Sequence, residues 1–164
     1  MNKDSEKLKK IKELCELYNI KISTAESCTG GFISKILTDQ SGSSSFFIGS
    51  IIAYSNQVKA DILNVSPDII REFGAVSKEV STLMADGLFK LIECDIAVST
   101  TGIMESIKDI TEKKPQVYIT IKSKKTIMSK HIYLGNDRHE NRINTVNHAL
   151  DCLYDFINNH YLVS

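Results

Sequence analysis

Residues 24–31 read Thr-Ala-Glu-Ser-Cys-Thr-Gly-Gly, and this octet decides how the rest of the chain is interpreted. It follows an apolar-alternating run over residues 20–24 that predicts a strand. Two consecutive glycines suit a turn that opens a helix with its N–H groups free, and such helix ends bind anions. Glu26 is the only charged residue of the octet. We therefore expect a strand, a polar elbow and then a helix from Phe32, with the elbow as either an anion site or an ordinary strand-to-helix turn.

Apolar periodicities on both sides of the octet predict alternating helices and strands. Helical patterns cover residues 4–18, 32–38, 57–63, 67–73, 78–92 and 139–159, and strand patterns cover residues 21–25, 50–55, 95–101, 117–121 and 127–134. Ser66 followed by Pro67 is a typical helix start, and Gly74 is a typical stop. The last two strands are predicted to form a hairpin. This order predicts one α/β domain over residues 1–164, built as three α/β/α layers around a mixed, mostly parallel sheet.

The overall charge argues against polyanionic partners. Twenty Lys and Arg residues balance twenty Asp and Glu residues in a chain of 164, so the formal net charge is zero. This balance gives no electrostatic reason to expect binding to nucleic acid or to an anionic membrane surface. No apolar run approaches the roughly 20 residues that span a bilayer, and residues 1–12 lack the apolar core of a signal peptide. We expect a cytoplasmic protein.

The four cysteines, Cys15, Cys28, Cys94 and Cys152, lie far apart in the sequence and form neither a CxxC pair nor a Cys/His cluster. This spacing indicates neither a disulfide framework nor a metal site. Three of the four fall in apolar helical patterns and are expected to be reduced core residues. Cys28 lies in the elbow, where it is either a packing residue, which we favour, or a nucleophile.

Five polar segments lie at predicted strand ends or elbows, where α/β folds place their sites. They are residues 26–31, 42–45, 54–56 with Lys59, 99–102 and 135–138. All four histidines come late in the chain and none is near a GxSxG elbow, so a Ser–His hydrolase is not indicated. A serine can instead be activated by a lysine that is partly neutral, and Lys59 is a candidate for that base. The alternative is that Lys59 is an exposed helix residue and that residues 43–45 form a solvated turn.

Several motifs, in the same order along the chain, resemble the CinA C-terminal domain family. They are the octet, Leu37-Thr38-Asp39 with Gly42-Ser43-Ser44, Ala53-Tyr54-Ser55-Asn56 with Lys59, Gly74-Ala75-Val76-Ser77, Thr101-Gly102-Ile103 and Gly135-Asn136-Asp137-Arg138. The resemblance covers nearly the whole chain, as one domain of that family. Its stand-alone members hydrolyse the carboxamide of nicotinamide mononucleotide to give nicotinate mononucleotide and ammonia. The resemblance implies this small-molecule nucleotide substrate, neither metal nor cofactor, and a homodimer, since relatives often form one.

The resemblance also implies roles for individual residues. Ser44 would be the nucleophile and Lys59 its base. Tyr54 and Asn56 would orient the nucleophile and the amide, and Thr101 would contribute from a central strand end. The residues implied to hold the substrate are Glu26, Ser27, Thr29, Gly30, Gly31, Asn56, Gly102 and Arg138.

One segment departs from the family pattern. After Thr-Gly-Ile the family continues Ala-Gly-Pro and then a glycine-rich loop that ends Lys-Pro-Val-Gly. Here residues 104–116 begin Met104-Glu105-Ser106, contain no glycine, and retain only Lys114-Pro115 of that pattern. Lost backbone donors and added acids should weaken binding of an anionic nucleotide. Two functions follow: a nicotinamide-nucleotide amidase, weakened or retuned by this segment, or a catalytically silent relative that acts as a binding or assembly domain.

Overall fold

The computed structural model describes residues 3–106 and 113–161, with side chains from residue 6 onward. The helices are α1 (Lys3–Tyr18), α2 (Phe32–Thr38), α3 (Asn56–Asp61), α4 (Pro67–Phe73), α5 (Lys78–Leu91) and α6 (Arg138–Tyr161). The strands are β1 (Ile22–Glu26), β2 (Phe47–Ile52), β3 (Ile96–Ile103), β4 (Gln116–Ser123) and β5 (Ile127–Tyr133), and a short 3-10 turn covers Ser43–Ser45. Residues 107–112, the centre of the segment that departs from the family pattern, lie outside the described residues. None of the described helices has the length and apolar character needed to cross a membrane.

The five strands form one mixed sheet in the order β2-β1-β3-β4-β5. Strand β1 pairs in parallel with both β2 and β3, whereas β3–β4 and β4–β5 are antiparallel. The predicted mixed α/β sheet and its closing hairpin are therefore confirmed. The parallel part is confined to β2, β1 and β3, because β4 runs antiparallel to the central strand β3. Two strand pairs are therefore parallel and two are antiparallel, whereas a mostly parallel sheet was predicted.

Helices cover both faces of the sheet, as the three-layer prediction requires. One face packs against α1, α2 and α6, where Ile22 and Val98 of the strands meet apolar residues such as Leu37 and Leu153. The other face packs against α4 and α5, in a smaller cluster that includes Met84. Side chains of successive strand residues point to opposite faces, so β3 supplies both clusters.

The largest difference between predicted and observed elements is at β2. A strand was expected over residues 50–55, but β2 ends at Ile52. The reason is local, because the Ser55 hydroxyl accepts a hydrogen bond from the Val58 N–H at 3.2 Å and caps α3. Residues 53–55 thereby leave the sheet and form the strand-to-helix turn on which the site is built.

Candidate active site

The carboxyl ends of the three parallel strands meet at one edge of the sheet, and a pocket of about 290 Å3 lies beyond them. Residues following β1 and β2 line one side of it, and the end of β3 lines the other. Arg138, the first residue of α6, completes the rim. Edges of this kind are where open α/β sheets place ligands.

Ser27 and Lys59 form a buried pair at the base of this pocket. The Nζ atom of Lys59 lies 3.0 Å from the Oγ atom of Ser27. Ser27 follows β1 directly, and its N–H donates to the Thr100 carbonyl at 3.0 Å, which fixes it against β3. Lys59 comes from the α3 turn after β2, so the parallel pairing of β1 with β2 brings the two side chains together. The alternative interpretation of Lys59 as an exposed helix residue is wrong, since it is only 2% exposed.

Burial of Lys59 disfavours its charged form. Burial lowers the pKa of Lys59 below its ordinary value, with a smaller opposing effect from the Cys28 thiol. Its Nζ also lies 2.9 Å from the Ala53 carbonyl oxygen and 3.2 Å from that of Tyr54. A neutral amine has two N–H bonds and one lone pair. Nζ lies within donor distance of all three oxygens, the Ser27 hydroxyl included. A neutral amine that kept both carbonyl bonds would turn its lone pair to the Ser27 hydroxyl, as a base does toward its nucleophile.

The expected pairing of Ser44 with Lys59 is wrong. Ser44 lies in the turn before β2, whereas Lys59 follows the carboxyl end of that strand. The six residues of β2 separate the two edges of the sheet by roughly 17 Å, at about 3.3 Å per residue. Neighbouring Ser45 confirms the placement, because its carbonyl accepts from the Lys21 Nζ and its hydroxyl contacts Glu16, at the amino edge. Ser44 is exposed there and lines no part of the pocket.

The elbow does not offer a free anion site either. The carboxylate of Glu26 is fully buried and accepts from the N–H groups of Gly31, Ile33 and Ser34 at 2.8–3.0 Å. It also accepts from the Thr24 hydroxyl. The protein's own carboxylate therefore occupies the amino end of α2, where helix N–H groups and dipole favour an anion. The expectation that Glu26 binds substrate is wrong, because these bonds commit it to the fold.

Replacing Glu26 should therefore destabilise the protein. Glu26→Ala leaves one buried and two partly buried N–H groups without their acceptor, and we expect the free energy of unfolding to fall by about 2–5 kcal/mol. Urea unfolding followed by circular dichroism measures this loss. Glu13→Ala removes an acid that is 59% exposed and should change stability by less than about 0.5 kcal/mol. Equal losses in the two variants would contradict the capping role.

Three other elbow residues predicted to hold the substrate lie outside the pocket lining. Thr29 is buried, with its hydroxyl 2.9 Å from that of Thr100 and its carbonyl accepting from Arg142 at 2.7 Å. Gly30 and Gly31 have φ values of +59° and +92°, a backbone conformation that favours glycine. The glycines shape the turn that lets Glu26 reach the helix, so the structure gives all three a structural role.

The remaining seven predicted residues all line the pocket: Ser27, Tyr54, Asn56, Lys59, Thr101, Gly102 and Arg138. The Thr101 hydroxyl donates to the Ala75 carbonyl at 2.7 Å, which ties the end of β3 to the turn before α5. Asn56 is exposed at the start of α3. Gly102 allows close packing of β4, since a Cβ there would lie 2.5 Å from the Gln116 carbonyl oxygen.

Cys28 also lines the pocket, although the prediction favoured a packing role for it. It is 5% exposed, and burial raises the pKa of its thiol to about 12. A thiol with that pKa is protonated near neutral pH and is a poor nucleophile. The packing interpretation is therefore the better supported one, and Ser27 is the better nucleophile candidate.

A chain of polar contacts crosses the mouth of the pocket. Arg138 donates to the Tyr54 hydroxyl at 2.9 Å and to the Glu105 carboxylate at 3.1 Å. Tyr54 is 60% exposed, so this bridge lies at the solvent side of the site. Glu105 was not among the predicted site residues. The available signal was that it lies in residues 104–116, the segment that departs from the family pattern.

The fold and the site together define an α/β domain with a buried Ser–Lys pair at the carboxyl edge of its sheet. The family model of the CinA C-terminal domain matches residues 4–157. The chain therefore belongs to the CinA C-terminal domain family.

Individual relatives agree with this assignment. A CinA-like protein of Endomicrobium trichonymphae is 45% identical over 134 residues, which cover 80% of this chain and 31% of that protein. A CinA-like protein of Syntrophomonas wolfei is 40% identical over 85% of this chain and 34% of its own length. The chain thus spans about a third of the length of these curated relatives.

Solved structures show the same fold. The competence/damage inducible protein CihA from Agrobacterium tumefaciens superimposes with a TM-score of 0.87 at 32% identity, covering 96% of this chain and 97% of that one. The competence damage-inducible protein A from Klebsiella pneumoniae superimposes with a TM-score of 0.90 at 23% identity, covering 98% and 99%. The second likeness concerns the fold alone.

Proposed function

We propose that the protein is an amidohydrolase that converts nicotinamide mononucleotide to nicotinate mononucleotide and ammonia, with Ser27 as nucleophile and Lys59 as its base. The observation that carries the proposal is the 3.0 Å contact between Lys59 Nζ and Ser27 Oγ in a buried, pocket-lining position. Membership of the CinA C-terminal domain family supports it, since the resemblance implies this reaction for stand-alone members.

The first half of the reaction would form an acyl-enzyme. As the Ser27 oxygen attacks the carboxamide carbon, its proton passes to the neutral Lys59 amine, and the C=O double bond becomes an oxyanion. Collapse of this intermediate breaks the C–N bond. The leaving nitrogen takes the proton from the Lys59 ammonium and departs as ammonia, which leaves a nicotinoyl ester on Ser27.

The second half would return the enzyme to its starting state. Lys59 takes a proton from a water molecule as the water attacks the ester carbon. The ester C–O bond then breaks, and the Ser27 oxygen recovers a proton from Lys59. The product leaves as the carboxylic acid, which loses its remaining proton to solvent and becomes the carboxylate. No oxidant, reductant or second substrate besides water is required, so the atoms balance with the residues described.

Substrate orientation would come from the polar rim of the pocket. Asn56 lines the pocket, and its amide, which can both donate and accept, would contact the carboxamide. Arg138 presents a cation at the mouth, where the phosphate of a bound nucleotide would lie. The proposal assigns Tyr54 a positioning role, because its hydroxyl already holds the Arg138 guanidinium at 2.9 Å.

The direct test is incubation of the purified full chain with nicotinamide mononucleotide, followed by an assay of released ammonia and of the acid product by chromatography. We expect equimolar release of both. Absence of both at high enzyme concentration, in protein shown to be folded by circular dichroism, would overturn the proposed function.

A second candidate function, a catalytically silent binding or assembly domain, has one observation in its favour. Glu105 forms an ion pair with the Arg138 guanidinium, so the cation expected to bind a phosphate already has an acidic partner within the protein. The same ammonia assay separates the two functions, since the silent domain would release nothing. The buried Ser27–Lys59 pair favours the enzyme, because a binding domain has no need of a desolvated base beside a serine hydroxyl.

The pH dependence of the rate offers an independent check on Lys59. Only the neutral amine accepts a proton, and burial lowers the pKa of Lys59. Below that pKa the ammonium predominates, so kcat/KM should fall about tenfold for each pH unit, and above it the rate should reach a plateau. A profile measured from about pH 5 to about pH 10 should show this rise. A rate independent of pH would contradict the assignment of Lys59 as base.

A further inference from the structure

The charges around the pocket mouth are arranged unusually for a site that takes a phosphate. Of the described residues that line the pocket, Lys59 and Arg138 are the cations and Glu105 is the only carboxylate. Lys59 lies at the buried base beside Ser27, so it belongs to the chemistry. Among the described lining residues, Arg138 and Glu105 therefore decide the charge that a ligand meets at the mouth.

Glu105 competes directly with a phosphate for Arg138. Its Oε1 atom accepts from the Arg138 Nη1 at 3.1 Å, and Nη2 is held by the Tyr54 hydroxyl at 2.9 Å. One N–H on each Nη atom is thus committed to a partner within the protein, and the remaining N–H groups of the exposed guanidinium can still donate. A phosphate that used them would lie beside the Glu105 carboxylate, where like charges repel.

The backbone holds Glu105 at this place. The carbonyl of the preceding residue, Met104, accepts from the buried Asn141 Nδ2 at 2.8 Å, which ties the end of β3 to α6. Met104 itself is 2% exposed and packs into the larger apolar cluster. Glu105 and Arg138 therefore sit on two anchored segments, and their contact follows from the fold around them.

We infer that Glu105 lowers the affinity of this pocket for the phosphate of a nicotinamide nucleotide, and so narrows its preference for the nucleotide over the nucleoside that lacks the phosphate. This inference rests on the proposed amidase function of the same pocket. A nicotinamide nucleoside carries one positive charge, on its ring, and a neutralised Arg138 does not repel it. The corresponding nucleotide adds about 1.5 to 2 negative charges, which the Glu105 carboxylate beside Arg138 repels.

The experiment measures binding of nicotinamide riboside and nicotinamide mononucleotide by titration calorimetry. It uses the full chain carrying Ser27→Ala, so that neither ligand is consumed, with and without Glu105→Gln. The amide keeps the size of the side chain and removes its charge. We expect the Kd for the nucleotide to fall about 3- to 10-fold and the Kd for the nucleoside to rise about 2- to 5-fold. These opposite signs distinguish loss of a charge from a general change in the pocket.

Glu140→Gln is the matched control, because Glu140 is an exposed acid in the first turn of α6 that does not line the pocket. It removes the same charge near the same helix end and should leave both Kd values within about twofold. Glu105→Ala is a second variant that guards against a defect specific to the glutamine substitution, and its melting temperature shows whether it is folded. It should shift the two Kd values in the same directions as Glu105→Gln.

The outcomes separate this inference from the proposed function. Opposite shifts of the two Kd values with Glu105→Gln support the inference, even if the parent chain releases no ammonia from either ligand, which would overturn the amidase alone. Unchanged Kd values, shifts in the same direction, or an equal effect of Glu140→Gln would overturn the inference while leaving the amidase intact. If the parent chain binds neither ligand, both are overturned.

Discussion

Ser27→Ala is expected to reduce ammonia release from nicotinamide mononucleotide by roughly 10³-fold or more, because it removes the atom that forms the acyl-enzyme. The loss should appear in kcat, with the substrate KM changed much less, since the lost hydroxyl contributes little to ground-state binding. The variant should remain folded, because the Ser27 N–H still bonds to the Thr100 carbonyl through the unchanged backbone. Steady-state kinetics and a melting curve measure both effects.

Ser44→Ala is the matched control for this experiment. It makes the same chemical change on an exposed serine at the opposite edge of the sheet, where the turn lines no part of the pocket. Turnover should stay within about twofold of the parent. If Ser44→Ala were the inactive variant and Ser27→Ala the active one, the assignment of the nucleophile from the Lys59 contact would be wrong.

The sequence predicted most of the fold because apolar periodicity and helix caps are local signals. The Ser66–Pro67 start and the Gly74 stop place α4 where it is observed. The end of β2 was misplaced because Ala53 and Tyr54 continue the apolar run of residues 51–52, yet the Ser55 hydroxyl caps the next helix. The antiparallel direction of β4 against β3 depends on how segments distant in sequence pair. Apolar periodicity within one segment carries no information about that pairing.

The pairing of Ser27 with Lys59 could have been predicted from strand order. Helical crossovers make β1 and β2 parallel neighbours, so residues that follow the two strands share an edge. Ser27 follows β1 and Lys59 follows β2, whereas Ser44 precedes β2 and had to lie at the other edge. The signal was therefore present in the positions of these residues relative to the strands.

The role of Glu26 was beyond the reach of sequence reasoning. A lone acid in a polar, glycine-containing elbow has the composition of a ligand-binding residue as much as that of a cap. Which role it takes depends on whether the turn folds back, and the positive φ values of Gly30 and Gly31 make it do so. The contact of Glu105 with Arg138 is equally non-local, since 33 residues separate the two in sequence.

Lys59→Met should also abolish turnover, with a loss of about 10²- to 10⁴-fold that reflects removal of a general base. Methionine has a similar length and suits a buried site, so the apolar part of the side chain is retained. It leaves the carbonyls of Ala53 and Tyr54 without the Nζ donor, so we also expect a lower melting temperature. Activity measured well below that temperature separates the catalytic loss from unfolding.

Lys59→Arg distinguishes a base from a mere donor of hydrogen bonds. A guanidinium can still donate to the two carbonyls, but it stays protonated at any pH at which the protein is folded and cannot accept the Ser27 proton. We therefore expect this variant to be as inactive as Lys59→Met, and without recovery at high pH. Lys35→Arg, on an exposed helix position that is 62% accessible, should retain full kcat/KM and serves as the control. Turnover by Lys59→Arg near the parent rate would show that Lys59 acts only by holding the turn, and the base would then have to be sought elsewhere in the pocket.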